Sequence, residues 1–265
     1  MNVLITGATR GLGAVLARVF LDKGANVLAV GRSFSGGADI VADLSQPEVA
    51  ASSILAAAQA AVPRIDVLIN NAAVQGPIGP LWENDWSDWM RALRTDLLAP
   101  VALCRSFAPW MISCGGGSII NLSGGGATSP RPNFTAYATA KSGLVRFSET
   151  LAQELQPYNV TVNCIAPGAM STEMLDEVIR AGATISGARE YHAAMKVRRE
   201  GGVSLDRVAA LCWYLASNEA RGITGKLISA AWDPWQSLQE HTEELAGSDI
   251  YTLRRIEPGD RGLSW

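Results

Sequence analysis

The chain is short of histidine, of paired cysteines and of net charge, and each shortage removes a class of function. Only His192 and His241 occur among its 265 residues. A histidine-built zinc site or a Ser-His-Asp triad is therefore poorly supported, and no metal is expected. The four cysteines, Cys104, Cys114, Cys164 and Cys212, lie far apart and form no CxxC pair. They read as reduced, mostly buried thiols of a cytoplasmic protein. The net charge is −3, which gives no support to nucleic acid as a partner. No apolar run reaches the roughly 20 residues of a membrane span, because Gly, Ser or a charge interrupts each one. The N-terminal MNVLITGATRGLG enters strand-like sequence directly, unlike a secretory leader with its basic start, longer apolar run and small-residue cleavage site.

What is present is enough length for one large domain and a hydrophobic content of 48%, the balance of a soluble globular protein. Short apolar runs alternate with helical stretches. NVLITG, ANVLAVG, DVLINN, SIINLS, VTVNCIAP and GKLISA read as buried strands. Segments 12–23, 47–61, 85–112, 136–156 and 204–216 read as helices. The alternation predicts an α/β protein, a three-layer, doubly wound parallel sheet covered on both faces. There is no internal repeat. Between Arg32 and Asp43 the stretch SFSGGA is too short for the usual crossover helix. The domain is expected over 1–230, with a Trp- and charge-rich extension over 231–265 that packs on it or on a neighbouring subunit.

The first strand runs into Thr6-Gly7-Ala8-Thr9-Arg10-Gly11-Leu12-Gly13, which opens the first helix. Glycines let the backbone turn sharply and approach a pyrophosphate closely. The helix start offers unpaired N–H groups and a positive dipole end. The spacing is Gly-x-x-x-Gly-x-Gly, and the alternative is an ordinary strand-to-helix turn. The end of the second strand points to NADP, with NAD possible. A carboxylate there would bond a ribose 2′-hydroxyl and repel a 2′-phosphate. This chain has Gly31 and then Arg32, and with Arg10 the two guanidinium groups suit a 2′-phosphate clamp. A solvated loop charge is the other reading of Arg32. Asp43 and Leu44, after the third strand, are expected near the adenine, unless Asp43 caps the 47–61 helix.

Tyr137-Ala-Thr-Ala-Lys141 sets a phenol and an ammonium four apart, on one helix face. Bringing a phenol from about 10 to near 7 takes roughly 4 kcal/mol of preferential phenolate stabilisation. A nearby Lys⁺ and a positive nicotinamide are able to supply it.

The order TGATRGLG, NNAA, YATAK, IAPGAMSTEM resembles the short-chain dehydrogenase/reductase family, in its compact branch, from Met1 to about Ala230. The resemblance implies a Rossmann fold and hydride transfer between nicotinamide and a carbonyl or hydroxyl carbon of a small molecule. It implies Tyr137 as proton donor or acceptor and Lys141 as the group that lowers its pKa and binds the nicotinamide ribose. Asn71, Ala72 and Ala73 would line the adenosine, with Ala73 in place of the family's last Gly. Pro167, Gly168 and Thr172 would contact the nicotinamide end, with Ile165 near the carboxamide. Two catalytic positions depart from the pattern. The family serine falls on Gly124, with Ser123 one place earlier. Either Ser123 takes the role, or Thr128 or Ser129 does, or a water; alternatively Ser123 only caps the strand. The family's helix asparagine falls on Asp96, which accepts the same hydrogen bonds but donates none when ionised. If close, its charge would raise the pKa of Tyr137.

By the same resemblance, substrate choice lies with the loop after the sixth strand, 170–203, and with the C-terminus, 231–265. Arg189, Lys196, Arg198, Arg199, Arg254 and Arg255 are candidates for an anionic substrate group, or form a solvated basic surface. Trp232 and Trp235 suit stacking on a ring or packing. The tail keeps enough large apolar residues to dock, as a lid that brings Arg254 or Arg255 to the substrate or as an interface clamp. Surplus apolar surface on 85–112 and 136–156 implies a homodimer or homotetramer. The rival readings are NAD-dependent oxidation of a sugar or nucleotide-sugar hydroxyl, and a catalytically degenerate nucleotide-binding scaffold.

Overall fold

The computed structural model describes residues 1–33, 37 and 39–265; most of the SFSGGA stretch lies outside them. Seven parallel strands form one sheet among the described residues: β1 (Asn2–Thr6), β2 (Asn26–Gly31), β3 (Ile40–Val41), β4 (Val67–Asn70), β5 (Gly117–Leu122), β6 (Val160–Ala166) and β7 (Leu227–Ser229). Their order is β3-β2-β1-β4-β5-β6-β7. The order reverses between β1 and β4, which opens a crevice at the carboxyl ends of those strands. This is the doubly wound Rossmann architecture.

The strands are apolar on both faces because helices cover both. Val3, Ile5, Val67, Ile69 and Ile120 pack with α1 (Gly11–Asp22) and α8 (Leu205–Ala216). Leu4, Leu68 and Ile119 point the other way, to α2 (Pro47–Ala61), α4 (Ala99–Ser113) and α5 (Thr135–Leu155). The period-two alternation sorts the core into two layers. Between the central strands and α5, Asn70 donates to Asn121 at 2.8 Å and Asn121 to Ser148 Oγ at 2.7 Å. This buried polar chain fixes the register of helix on sheet.

The segment 85–112, read from the sequence as a single helix, is interrupted. α3 (Trp86–Leu93) passes into a π-helical turn over Arg94–Leu98 before α4. Here the Ala99 N–H bonds Arg94 O, five residues back. Pro100 has no N–H to give the carbonyl of Asp96, so the ordinary ladder is broken at that place. Residues 170–203, read as a loop, hold two helices, α6 (Glu173–Ser186) and α7 (Ala188–Glu200).

The extension docks on the domain. Trp235, Leu238 and Leu245 are buried in the α1/α8 layer, with Trp235 against Tyr214, ring centroids 5.8 Å apart. On the outer edge of β7, Leu227 N–H donates to Tyr251 O at 2.7 Å. Lys226 Nζ reaches Ser248 O and Ile250 O at 2.9 and 3.1 Å, and Leu253 N–H reaches Glu149 on α5 at 2.6 Å.

Candidate active site

A cavity of about 700 Å³ opens at the carboxyl end of the sheet, over the β1/β4 crevice. A second hollow of about 350 Å³ lies at the opposite strand ends, around Met1, Asp66, Gly117 and Asn159. It holds none of the residues singled out by the sequence.

One end of the large cavity is made by backbone. Gly7, Thr9, Arg10, Gly11, Leu12 and Gly13 line it. Gly7 sits at φ 64°, a conformation that side chains disfavour, and a Cβ on Gly13 would overlap the Gly7 carbonyl oxygen. The turn and the helix thus come together only because both positions lack a side chain. Thr6 Oγ1 accepts from the N–H groups of Asn71 and Ala72 at 3.0 and 3.1 Å, and Asn71 Nδ2 donates to Thr6 O at 2.9 Å. The β4 end therefore buttresses the turn. α1 starts with no side-chain cap and no acidic residue in its first turn, so its positive end faces the cavity uncompensated. This cradle fits a dinucleotide pyrophosphate.

Arg32, Asp43 and Leu44 line the far side, beyond β2. Asp43 does not cap α2, whose N-cap is Gln46. Its carboxylate instead accepts from Ser45 N–H at 3.0 Å, and that bond, with help from Arg32, lowers its pKa. Arg10 is ion-paired across the mouth with Glu173 of α6.

The other end is made by side chains. Ser123, Tyr137 and Lys141 stand on the wall with Asn71, Ala72, Ala73, Pro167 and Thr172. Lys141 Nζ lies 5.6 Å from the Tyr137 ring centre and donates to Leu122 O at 3.0 Å. Behind it, Asp96 is fully buried at the π turn. Its Oδ1 accepts from Val74 N–H at 2.9 Å and its Oδ2 faces Lys141 Nζ at 3.7 Å, with no hydrogen bond among the described residues. Burial raises the Asp96 pKa to about 6, against the opposing pull of Lys141 and the Val74 N–H. Burial raises the Tyr137 phenol as well, the Asp96 charge raises it further, and Arg131 opposes both. The phenol is thus held protonated at neutral pH, the state of a proton donor.

Asp96, Gly168 and Ile165 are not on the wall: Asp96 and Ile165 are buried behind it, and Gly168 lies outside, against Val203 and Ala231. Thr128 and Ser129 are exposed and away from the cavity, whereas Ser123 is 3% exposed with an Oγ that has no partner among the described residues. The missing serine has a geometric counterpart. A Cβ on Gly124 would overlap the Tyr137 hydroxyl and come within 3.0 Å of Cζ. The phenol occupies the space that a side chain at 124 would need.

None of the basic residues suggested for substrate, Arg189 included, lines the cavity, and all but Arg189 form ion pairs among the described residues. Lys196 and Arg199 pair with Glu200, Arg198 with Asp176, Arg254 with Asp249 and Asp260, and Arg255 with Glu257. Among the described residues, none from 231–265 lines the cavity. Trp235 is packing, and Trp232 is 87% exposed and away from the wall. Sequence reading missed Gln75, Arg91, Thr95 and Glu177 on the wall. It also missed Arg131, whose guanidinium stacks 3.8 Å over Phe134, stands 5.7 Å from the Tyr137 ring and bonds Glu190 of α7 at 2.8 Å. Among the described residues no group of His, Cys, Asp and Glu is placed to hold a metal, and no helix is long and apolar enough to cross a membrane.

A glycine cradle at the switch point of a parallel sheet, sharing its cavity with a tyrosine–lysine pair, defines a nucleotide-dependent oxidoreductase. The chain belongs to the short-chain dehydrogenase family, whose model, described as short chain dehydrogenase, matches residues 1–182. Nodulation protein G of Rhizobium sp. (strain N33) is 32% identical over 239 residues, 86% of this chain and 94% of that protein. D-threitol dehydrogenase of Mycolicibacterium smegmatis is 31% identical over 236 residues, 84% of this chain and 88% of that protein. Among solved structures, a putative NAD(P)-dependent gluconate 5-dehydrogenase from Beutenbergia cavernae with bound NADP superposes with a TM-score of 0.74 at 27% identity, over 86% of this chain and 94% of that one.

Proposed function

We propose that this protein moves a hydride between NADPH, or its oxidised form, and a carbonyl or hydroxyl carbon of a small molecule. Tyr137 acts as acid and base. The observation that carries the reading is the single cavity that joins the glycine cradle to Tyr137 and Lys141. The nicotinamide, when bound, supplies or accepts the hydride. The protein's residues do the rest. Gly7 through Gly13 and the α1 N-terminus seat the pyrophosphate. Arg32 and Arg10 favour a 2′-phosphate, with Arg10 exchanging Glu173 for it. Asn71, Ala72, Ala73 and Asp43 bound the adenosine side, and Pro167 and Thr172 the nicotinamide side. Lys141 holds the ribose and favours the phenolate. Tyr137 gives its proton to the substrate oxygen. Ser123 Oγ, unpartnered on the wall, steadies that oxygen in place of the family serine.

The test is NADPH titration by fluorescence, followed by a carbonyl panel read by NADPH absorbance. Tight NADPH binding with turnover of at least one carbonyl is expected. Tighter binding of NADH would overturn the cofactor assignment.

Gly124 supports a second reading, a nucleotide-binding protein without turnover. In that case NADPH binds, no panel member is reduced, and Tyr137→Phe leaves every property unchanged. A homodimer or homotetramer through α4 and α5 is supported by the partly exposed Trp110, Phe147 and Leu151; light scattering measures it.

A further inference from the structure

The substrate end of the cavity holds a polar group that no step above uses. Gln75 follows the Asn71–Ala73 segment, is 3% exposed and lines the cavity. Its Nε2 has no hydrogen-bond partner among the described residues. A buried amide N–H left unpaired costs roughly 1–3 kcal/mol, and a turn of the Gln75 amide toward the cavity lets an acceptor on a ligand pair it.

Its position is fixed from both sides. The Val74 N–H is held by Asp96 Oδ1 at 2.9 Å. At Gly76 the backbone is wedged between α3 and α5, where an added Cβ would stand 2.9 Å from Ala92 Cβ and 3.4 Å from Ala136 Cβ. Ala136 precedes Tyr137, and Gln75 and the tyrosine line the same cavity. The same wall presents Thr95, Arg91 and Glu177, with Val74, Met170 and Met174 as its apolar part. Donors and acceptors are mixed there. A hydroxyl group, which donates and accepts, satisfies such a wall; an acyl chain does not.

We infer that Gln75 is a specificity-determining residue: its amide hydrogen-bonds a hydroxyl on the carbon next to the reacting one, and the substrates are small polyhydroxylated compounds such as sugars, alditols or their oxidised forms. This rests on the hydride-transfer reading and adds the substrate class to it.

The experiment compares acetoin (3-hydroxybutan-2-one) with butan-2-one, which differ in that hydroxyl, and adds threitol and erythritol in the oxidative direction. It uses wild type and the near-isosteric Gln75→Met, with NADPH affinity of each variant as the check on folding. Gln75→Asn, which keeps a shortened amide, replaces Gln75→Met if the latter fails that check. A site built to bond a hydroxyl discriminates strongly against its absence. The wild-type preference in kcat/KM for acetoin is expected to be about a hundredfold or more and to fall by at least tenfold in Gln75→Met. The intrinsic reactivity difference of the two ketones is common to both proteins and cancels in that comparison. An unchanged preference in the variant overturns the role of Gln75 and leaves hydride transfer standing. Turnover of butan-2-one with no turnover of acetoin or the tetritols overturns the substrate class. Failure of wild type to bind NADPH overturns the hydride-transfer reading, and this inference with it.

Discussion

The two ends of the cavity are held by different kinds of structure. At the turn after β1 the wall is peptide backbone, fixed by the absent side chains of Gly7 and Gly13 and by the Thr6–Asn71 hydrogen bonds. At Tyr137 the wall is side chain, fixed by what neighbouring helices place behind it: Asp96 on the π turn, Gly124 under the phenol and Arg131 tied to α7. The first end presents backbone N–H groups whose placement depends on the fold of the turn. The second depends on single atoms, and there the sequence departs from its family.

If that contrast holds, damage at the second end affects turnover and leaves cofactor binding in place. Tyr137→Phe keeps the ring and removes the proton. Turnover is expected to fall by about 10²–10⁴, the usual contribution of a general acid, with NADPH affinity preserved. A parallel loss of affinity, measured by fluorescence, would break the comparison.

Gly124→Ser restores the residue type of the family yet has no room while the Tyr137 hydroxyl lies where it does. Displacement of a reacting group by about 1 Å costs on the order of a hundredfold, and a loss of that order in kcat is expected. A gain in kcat would show that the phenol yields to the serine.

The first end is probed by Arg32→Asp. A hydrogen bond to a charged group contributes about 1.5–3 kcal/mol, so NADPH binding is expected to weaken about tenfold or more while NADH binding improves. Steady-state kinetics should show the change in KM for the cofactor with little change in kcat. Equal losses with both cofactors would remove Arg32 from the 2′-phosphate.

The smallest effect sharpens the contrast. Asp96→Asn keeps the acceptor for Val74 N–H and removes the charge that pushes Tyr137 up. The pH midpoint for alcohol oxidation is expected to move down, by about one unit or less, since a single unit already represents about 1.4 kcal/mol. Stability supplies a second readout. The Asp96 pKa is raised in the folded state, to about 6, so the folded protein binds that proton more tightly than the unfolded chain. The contribution is fully present below the ordinary carboxylate range and is lost as pH rises to and through 6. Urea midpoints from pH 4 to 7 should therefore fall less with rising pH in Asp96→Asn than in wild type.

The same contrast decides what the sequence could disclose. The cradle was legible because its glycines and the NNAA segment answer to backbone geometry within a few residues. Tyr137 and Lys141 stood out as a helical i,i+4 pair, to which only the order of the surrounding motifs gave a role. The sheet was legible from six of its strands and their apolar runs. Gln75 and Arg131 carry no local pattern; their placement comes from α3, α5 and α7 meeting around them. α6 and α7 were hidden by their charge, part of which is spent on pairs such as Arg198–Asp176. Glycine at 182, non-helical within α6, added to the appearance of a loop. The π turn had one signal, Pro100 four residues after Asp96, which a periodicity reading of 85–112 passes over.

That turn also sets an angular phase. A π turn carries one more residue than the α-helical path it replaces, and each residue advances an α-helix by 100°. Winding Arg94–Leu98 as ordinary α-helix with all of its residues kept would rotate everything before it by about that angle relative to α4. Arg91 would swing off the cavity, Ala92 would leave Gly76, and Trp89 would lose Thr135. The π turn thus absorbs the extra residue without passing its rotation on, and an unbroken α-helix of the same sequence could not present α3 and α4 to this cavity together.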